Sequence, residues 1–215
     1  MQEELLPLRQ SLQQRSGLPS ILEIKKKWLL IRREDLAERK VLVGPEGCMY
    51  SSPITEFSSE EESKPTLELL CFPNPKLREK STDISFEDED LDDIKELAED
   101  MAIVMSQLGG IGLAAPQINI HKKMIVVDTS PGENSLHCFI NPTIIDREGR
   151  VTTNERCLSV QDMEIPVTRS KKIRLKFYDM HGKVHERNYE DLMAICIQHE
   201  VDHLHGKIII DFIAS

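Results

Sequence analysis

The segment QHEVDHLHG, Gln198 to Gly206, carries His199 and His203 four residues apart, with Glu200 directly after the first. On an α-helix, residues i and i+4 share one face about 6 Å apart, so both imidazoles can turn a nitrogen toward one ion. Glu200 stands roughly 100° further round the helix, outside that ligand pair, where a carboxylate can act as general base. The bland alternative is a helix whose histidines face water. Against it, Ile195, Ile197, Val201 and Leu204 bury much of the same helix, and a partly buried histidine pair needs partners. A catalytic ion usually takes three protein ligands and keeps one position open, so a third ligand is missing. Ten residues after His199, where some metal helices continue with another histidine, stands Ile209, and no glutamate follows the motif. Cys196 shares the helical face but precedes His203 by seven residues, roughly 10 Å along the axis, too far for one ion. The ligand must come from upstream, and Cys48, Cys71, Cys138, Cys157 and the outlying histidines are all candidates. Cys71 and Cys138 stand in apolar runs, where a free cysteine is usually a small core residue, whereas Cys157 stands in the polar stretch NERCLSV.

Such a site needs elements to hold it. LDDIKELAEDMAIVMSQL places Leu91, Ile94, Leu97, Ala98, Met101, Val104, Met105 and Leu108 at three- and four-residue spacing, an amphipathic helix of about five turns. MIVVDT and HCFINPTII read as strands, IRLKFY and VHERNY as two more joined by DMHG, and the chain closes with a helix through the histidines. The predicted class is α+β, with mixed or antiparallel strands packed around a C-terminal metal-binding helix. A chain of 215 residues has room for one sizeable core and an appendage. The Ser/Glu/Pro-rich stretch Ser51–Pro65 reads as a linker. It separates an N-terminal extension, residues 1–65, from a catalytic domain, residues 66–215, and the extension offers Lys25 to Lys27 beside Trp28 as a small docking surface.

The net charge of −10 and pI near 5.2 argue against direct nucleic-acid binding, which needs a basic footprint. No apolar run approaches the ~20 residues of a membrane span, and the acidic start MQEELLPLRQ lacks a targeting signature. Five cysteines with no paired spacing fit a reducing compartment in which free thiols can bind metal. A cytoplasmic protein is expected, with an organellar matrix left open.

Three segments, GIGLAAPQ at Gly110–Gln117, ERCLS at Glu155–Ser159 and QHEVDHLHG at Gln198–Gly206, together resemble the three motifs of peptide deformylases in order and spacing. The similarity runs from about Thr66 to Ser215 and leaves residues 1–65 uncovered. The resemblance implies hydrolysis of the formyl group from the formyl-methionine of newly made polypeptides, with release of formate. It supplies Cys157 as third ligand beside His199 and His203 and implies Fe2+, replaceable by Ni2+, Co2+ or Zn2+. The donor types alone suit Zn2+. It makes Glu200 the base, and gives the Gln117 side-chain amide and the Leu158 backbone N–H the developing oxyanion. By the same resemblance the N-formyl-methionyl peptide lies extended along Ile111 and Gly112, with its methionine in a pocket that includes Ile195 and Cys196. Glu155 pairs with Arg169 and orients the loop that carries Cys157. Ribosome-associated nascent chains are the implied partners, although attachment through a basic C-terminal helix is not expected of a sequence ending in DFIAS.

Four residues depart from the family pattern: Arg156 for a glycine before the cysteine, Glu164 for a common arginine, Gln161 for a common proline and Gly109 for a common glutamate. Arg156 puts a long cation beside the substrate strand. Together with the long N-terminal extension, it suggests a second reading, a deformylase-like protein that binds metal or partners without turnover.

Overall fold

The computed structural model describes residues 67–130 and 135–213, together with the backbone of Leu42–Val43. The short strand β1 (Leu42–Val43) pairs in parallel with β2 (Glu68–Leu69). Helix α1 (Leu91–Gln107) follows, started by Asp90, whose carboxylate accepts the Asp92 N–H in the first turn. Strands β3 (Gly112–Ala114), β4 (Met124–Val127), β5 (His137–Glu148), β8 (Lys172–Tyr178) and β9 (Val184–Glu190) form one sheet in the order β3-β4-β5-β8-β9, every neighbouring pair antiparallel. Strands β6 (Val151–Cys157) and β7 (Val160–Arg169) form a separate antiparallel hairpin. Helix α2 (Asp191–Leu204) and a 3-10 turn at Ile209–Phe212 close the chain. The expected α+β class with antiparallel strands is what forms. Residues 1–41 and 44–66, including the Lys25–Trp28 patch, lie outside the described residues.

The continuously apolar strand MIVV is explained by its surroundings. Successive strand residues point to opposite faces, and β4 has a helix on each. Met124 and Val126 join the core under α1, with Ile94, Leu97 and Met101, while Ile125 and Val127 join the core under α2, with Ala194, Ile197 and Val201. A strand covered on both faces has no polar position to offer. The β5–β8–β9 end is covered on one face only, and β8 alternates accordingly: Ile173, Leu175 and Phe177 are buried between exposed residues. The DMHG connection turns because the Asp179 carboxylate accepts the N–H groups of His181 and Lys183.

Three readings of the sequence need correction here. Leu91 is 38% exposed; as the first residue of α1 it precedes the stripe that begins at Ile94. The hairpin β6–β7 had only been read as polar surroundings of a cysteine. Its outward residues are mostly polar or charged, with Met163 and Pro166 as exceptions, and its inward ones, Val160, Ile165 and Val167, pack on Leu70, Leu77, Ile208 and Ile209 in a third, smaller core. Cys71 is disulfide-bonded, against the expectation of unpaired cysteines. No described helix is long and apolar enough to cross a membrane.

The two positions on α1 can be told apart by stability. Met101 is fully buried, so Met101→Ala should cost about 2–5 kcal/mol, whereas Leu91→Ala should stay within about 0.5 kcal/mol. Urea denaturation of the full chain measures both, and equal losses would place Leu91 in the core after all.

Candidate metal centre and active-site cleft

Helix α2 has a double task. Ala194, Ile197, Val201 and Leu204 fix it on the sheet, and this holds His199, Glu200 and His203 on the flank that meets the hairpin. The two imidazole rings lie 5.1 Å apart between centroids. The end of β6 brings Cys157 to them, its Sγ 3.3 Å from His203 Nε2. One donor atom from each of Cys157, His199 and His203 lies within 4.8 Å of the others, all three residues are buried, and among the described residues they form the one such group. Cys138 packs beside the core under α1, and Cys71 has no free thiol. Ile209 is buried in the third core.

A thiol and two imidazoles converging on one point suit a divalent transition metal with an open fourth position. Two further observations fit an ion. Glu155 lies between Arg169 and His199: Arg169 Nε and a terminal nitrogen donate to its two oxygens at 2.8 and 2.9 Å, and His199 Nδ1 stands 2.8 Å from Oε2. Burial opposes ionisation of Glu155, yet the bonds from Arg169 and His199 outweigh it and hold its pKa at about 2. An ionised carboxylate only accepts, so Nδ1 of His199 donates to it and Nε2 is the nitrogen left facing the centre. Burial opposes protonation of this ring, but the bonds to Cys157 and Glu155 outweigh it and push its pKa well up, so an ion bound there would replace a proton on Nε2. His203 is buried with Nδ1 unpaired, and burial pushes its pKa well down, so this ring stays neutral and able to donate a lone pair.

Arg169 is itself held from three sides. Beyond Glu155 it donates to the Asp202 carboxylate, and its guanidinium lies 4.9 Å over the Phe212 ring. The expected Glu155–Arg169 pair therefore forms, on strands β6 and β7 rather than on a loop. Its extension to His199 and Asp202 was not anticipated. Asp202 sits three residues beyond His199 on the same helix, a spacing that could have drawn attention to it.

A cleft of about 1050 Å³ opens over this centre, with Ile111, Gly112, Gln117, Leu158, Ile195 and Cys196 in its wall beside Cys157, His199 and Glu200. Of the residues predicted as catalytic, substrate-binding or metal-ligating, all but the buried His203 line the cleft. Glu200 is 4% exposed, its Oε2 has no hydrogen-bond partner, and burial raises its pKa to about 7. Its other oxygen lies against Gly112, where an added Cβ would fall 2.3 Å from Oε1 and 2.7 Å from Cys196 Sγ. Gly112 is thus a glycine for space. Gln117 is pinned at both ends of its amide: Oε1 accepts the Ala114 N–H at 2.8 Å, and Nε2 donates to Ser159 Oγ at 3.1 Å and stands 3.8 Å from Cys157 Sγ. Fully buried Ser159 was missed as a member of the site.

Comparison with known proteins places this arrangement in a family. Residues 66–215 match the family model described as Polypeptide deformylase. A peptide deformylase of Nitrosococcus oceani is 42% identical over 149 residues, 69% of this chain and 87% of that protein. The crystal structure of a probable peptide deformylase from Synechococcus phage S-SSM7 is similar with a TM-score of 0.64 at 36% identity, over 68% of this chain and 99% of that one. A peptide deformylase structure from Legionella pneumophila gives a TM-score of 0.63 at 34% identity, over 67% and 83% of the two chains. With the matched span holding all three motifs and the whole of the Cys157–His199–His203 cluster, the chain belongs to the polypeptide deformylase family.

Proposed function

We propose that this chain hydrolyses the formamide of N-formyl-methionyl polypeptides to formate and a free methionine α-amine. The observation that carries the reading is the buried, unpaired Glu200 carboxyl beside the Cys157, His199 and His203 donors at the floor of a cleft. In this reading residues 66–215 are the catalytic unit and residues 1–65 an extension to it. Cys157, His199 and His203 hold the ion, and family resemblance puts Fe2+ first, with Ni2+, Co2+ and Zn2+ as substitutes. When bound, the ion supplies Lewis acidity, which makes a water nucleophilic near neutral pH.

The chain's own residues do the rest. Strand β3 is the edge of the sheet, paired with β4 on one side only, and Ile111 and Gly112 at its start offer backbone to an extended peptide. Ile195 and Cys196 line the place for the methionine side chain. Glu200 takes a proton from the attacking water as the new C–O bond forms, and returns it to the amine as the C–N bond breaks. A carboxyl with a pKa near 7 is suited to both directions at neutral pH. The Gln117 amide has one hydrogen on Ser159 and the second toward Cys157 Sγ; in the reaction that second hydrogen turns to the oxyanion, and the Leu158 N–H is the other donor. Glu155 and Arg169 keep His199 in the tautomer that can ligate. The substrate points to nascent chains leaving the ribosome as the context, with the cytoplasm first and an organellar matrix as the alternative. The turnover-free alternative finds no support in the centre itself, because Arg156 is bonded to Glu164 and to none of the ligand atoms.

Three outcomes test this. Cys157→Ala should abolish stoichiometric metal binding, measured by elemental analysis of protein purified without air; full occupancy in that variant would refute the ligand assignment. Glu200→Ala should retain the metal while formate release from formyl-Met-Ala-Ser falls by ~10²-fold or more; a loss of metal would move Glu200 into the ligand sphere. Arg169→Met should destabilise the chain by about 3–5 kcal/mol, because Glu155 is then left charged, buried and short of its main partner. If denaturation shows a loss below about 1 kcal/mol, Glu155 and Arg169 are not the interaction that holds the hairpin to α2.

A further inference from the structure

Two of the residues that depart from the deformylase pattern meet in the structure. Arg156 on β6 reaches across to Glu164 on β7, with Nε 3.1 Å and a terminal nitrogen 2.9 Å from the same oxygen, Oε2. Both line the cleft that holds Cys157 and Glu200. Their side chains are 81% and 43% exposed, so the pair stands at the mouth of the cleft, away from its floor. Asp162, also exposed and also in the cleft wall, has no ion pair among the described residues. The mouth therefore carries two carboxylates against one guanidinium, on a chain whose net charge is −10. On the floor, Glu155 is neutralised by Arg169.

A peptide laid along Ile111 and Gly112 with its formyl end over Cys157 has to leave through the mouth, past the hairpin. A carboxylate in that departing segment is repelled by Asp162 and Glu164, and only Arg156 opposes them. Resting on the deformylase reading, we propose that Arg156 is a specificity-determining residue that neutralises Glu164 at the mouth and lets the enzyme accept formyl-methionyl peptides with an acidic side chain after the methionine. Solvent limits the size of such an effect. Exposed charge pairs are worth little, corresponding to roughly two- to five-fold in rate, and screening over about 8–10 Å at physiological ionic strength makes the effect depend on salt.

The test compares kcat/KM of the full, metal-loaded chain on formyl-Met-Glu-Ser, formyl-Met-Ala-Ser and formyl-Met-Lys-Ser at low ionic strength. Arg156→Ala should lower the Glu-to-Lys ratio by roughly two- to five-fold. Glu164→Gln should raise it, and the double variant, which restores the original charge count, should return it near the wild-type ratio. High salt should compress all of these differences. A common fall on all three peptides would make Arg156 a structural residue and overturn the proposal, as would an unchanged ratio. If the wild-type chain fails to hydrolyse even formyl-Met-Ala-Ser, the deformylase reading fails, and the proposal is then judged by equilibrium binding of Met-Glu-Ser and Met-Lys-Ser. Loss of relative affinity for the acidic peptide in Arg156→Ala would sustain it, and equal shifts for both peptides would end it.

Discussion

The arrangement rests on one buried carboxylate, Glu155, that is never allowed to lose its charge. It lies between Arg169 on the adjoining strand and His199 on α2, and both bond it directly. A buried charge is tolerable only when its oxygens are satisfied and a counter-charge is close. That requirement ties the hairpin to the helix at one point. The end of β6, where Cys157 stands, cannot drift from the histidines without stranding Glu155. The same bond fixes the tautomer of His199. One electrostatic constraint thus sets both the distance between Cys157 and the histidines and the nitrogen that His199 turns toward them.

The helix that bears the histidines is stiffened by an unrelated force. Its apolar side is sealed on β3, β4 and β8 by Ala194, Ile197, Val201 and Leu204, and removing such surface from water is the dominant favourable term in folding. The polar side is consequently presented at a fixed angle to the cleft. Glu200 illustrates the cost of this. Its carboxyl is buried with one oxygen unsatisfied, a destabilising arrangement in an ordinary core. The absence of a side chain at Gly112 is what makes room for it. Destabilised polar groups of this kind concentrate where chemistry is done.

The cleft has a gradient of character from floor to mouth. At the floor charges are paired and desolvated, so they hold geometry, whereas at the mouth Arg156, Asp162 and Glu164 are solvated. There they act weakly and over longer range on whatever passes. The departures from the family pattern that fall on the hairpin at Arg156 and Glu164 lie at the mouth and leave the floor intact.

Much of this was legible in the residues alone. The helix of α2 and the i, i+4 histidine pair followed from spacing, because a helix repeats every ~3.6 residues whatever surrounds it. The strands β4, β5, β8 and β9 were visible as apolar or alternating runs, and the turn at DMHG from its composition. Cys157 was one candidate among several until the resemblance of three motifs singled it out, since a contact between residues 157 and 203 depends on chain folding that local periodicity does not encode. The hairpin β6–β7 was hidden for a similar reason: its inward residues pack on Leu70, Leu77 and Ile208, partners distant in sequence. The three-dimensional structure alone decided that Asp202 and Ser159 belong to the site, that Gly112 is small to admit Glu200, and that Arg156 and Glu164 face one another. Spacing along a chain specifies which face of an element a residue occupies; which other face it meets is specified by the packing of the whole core.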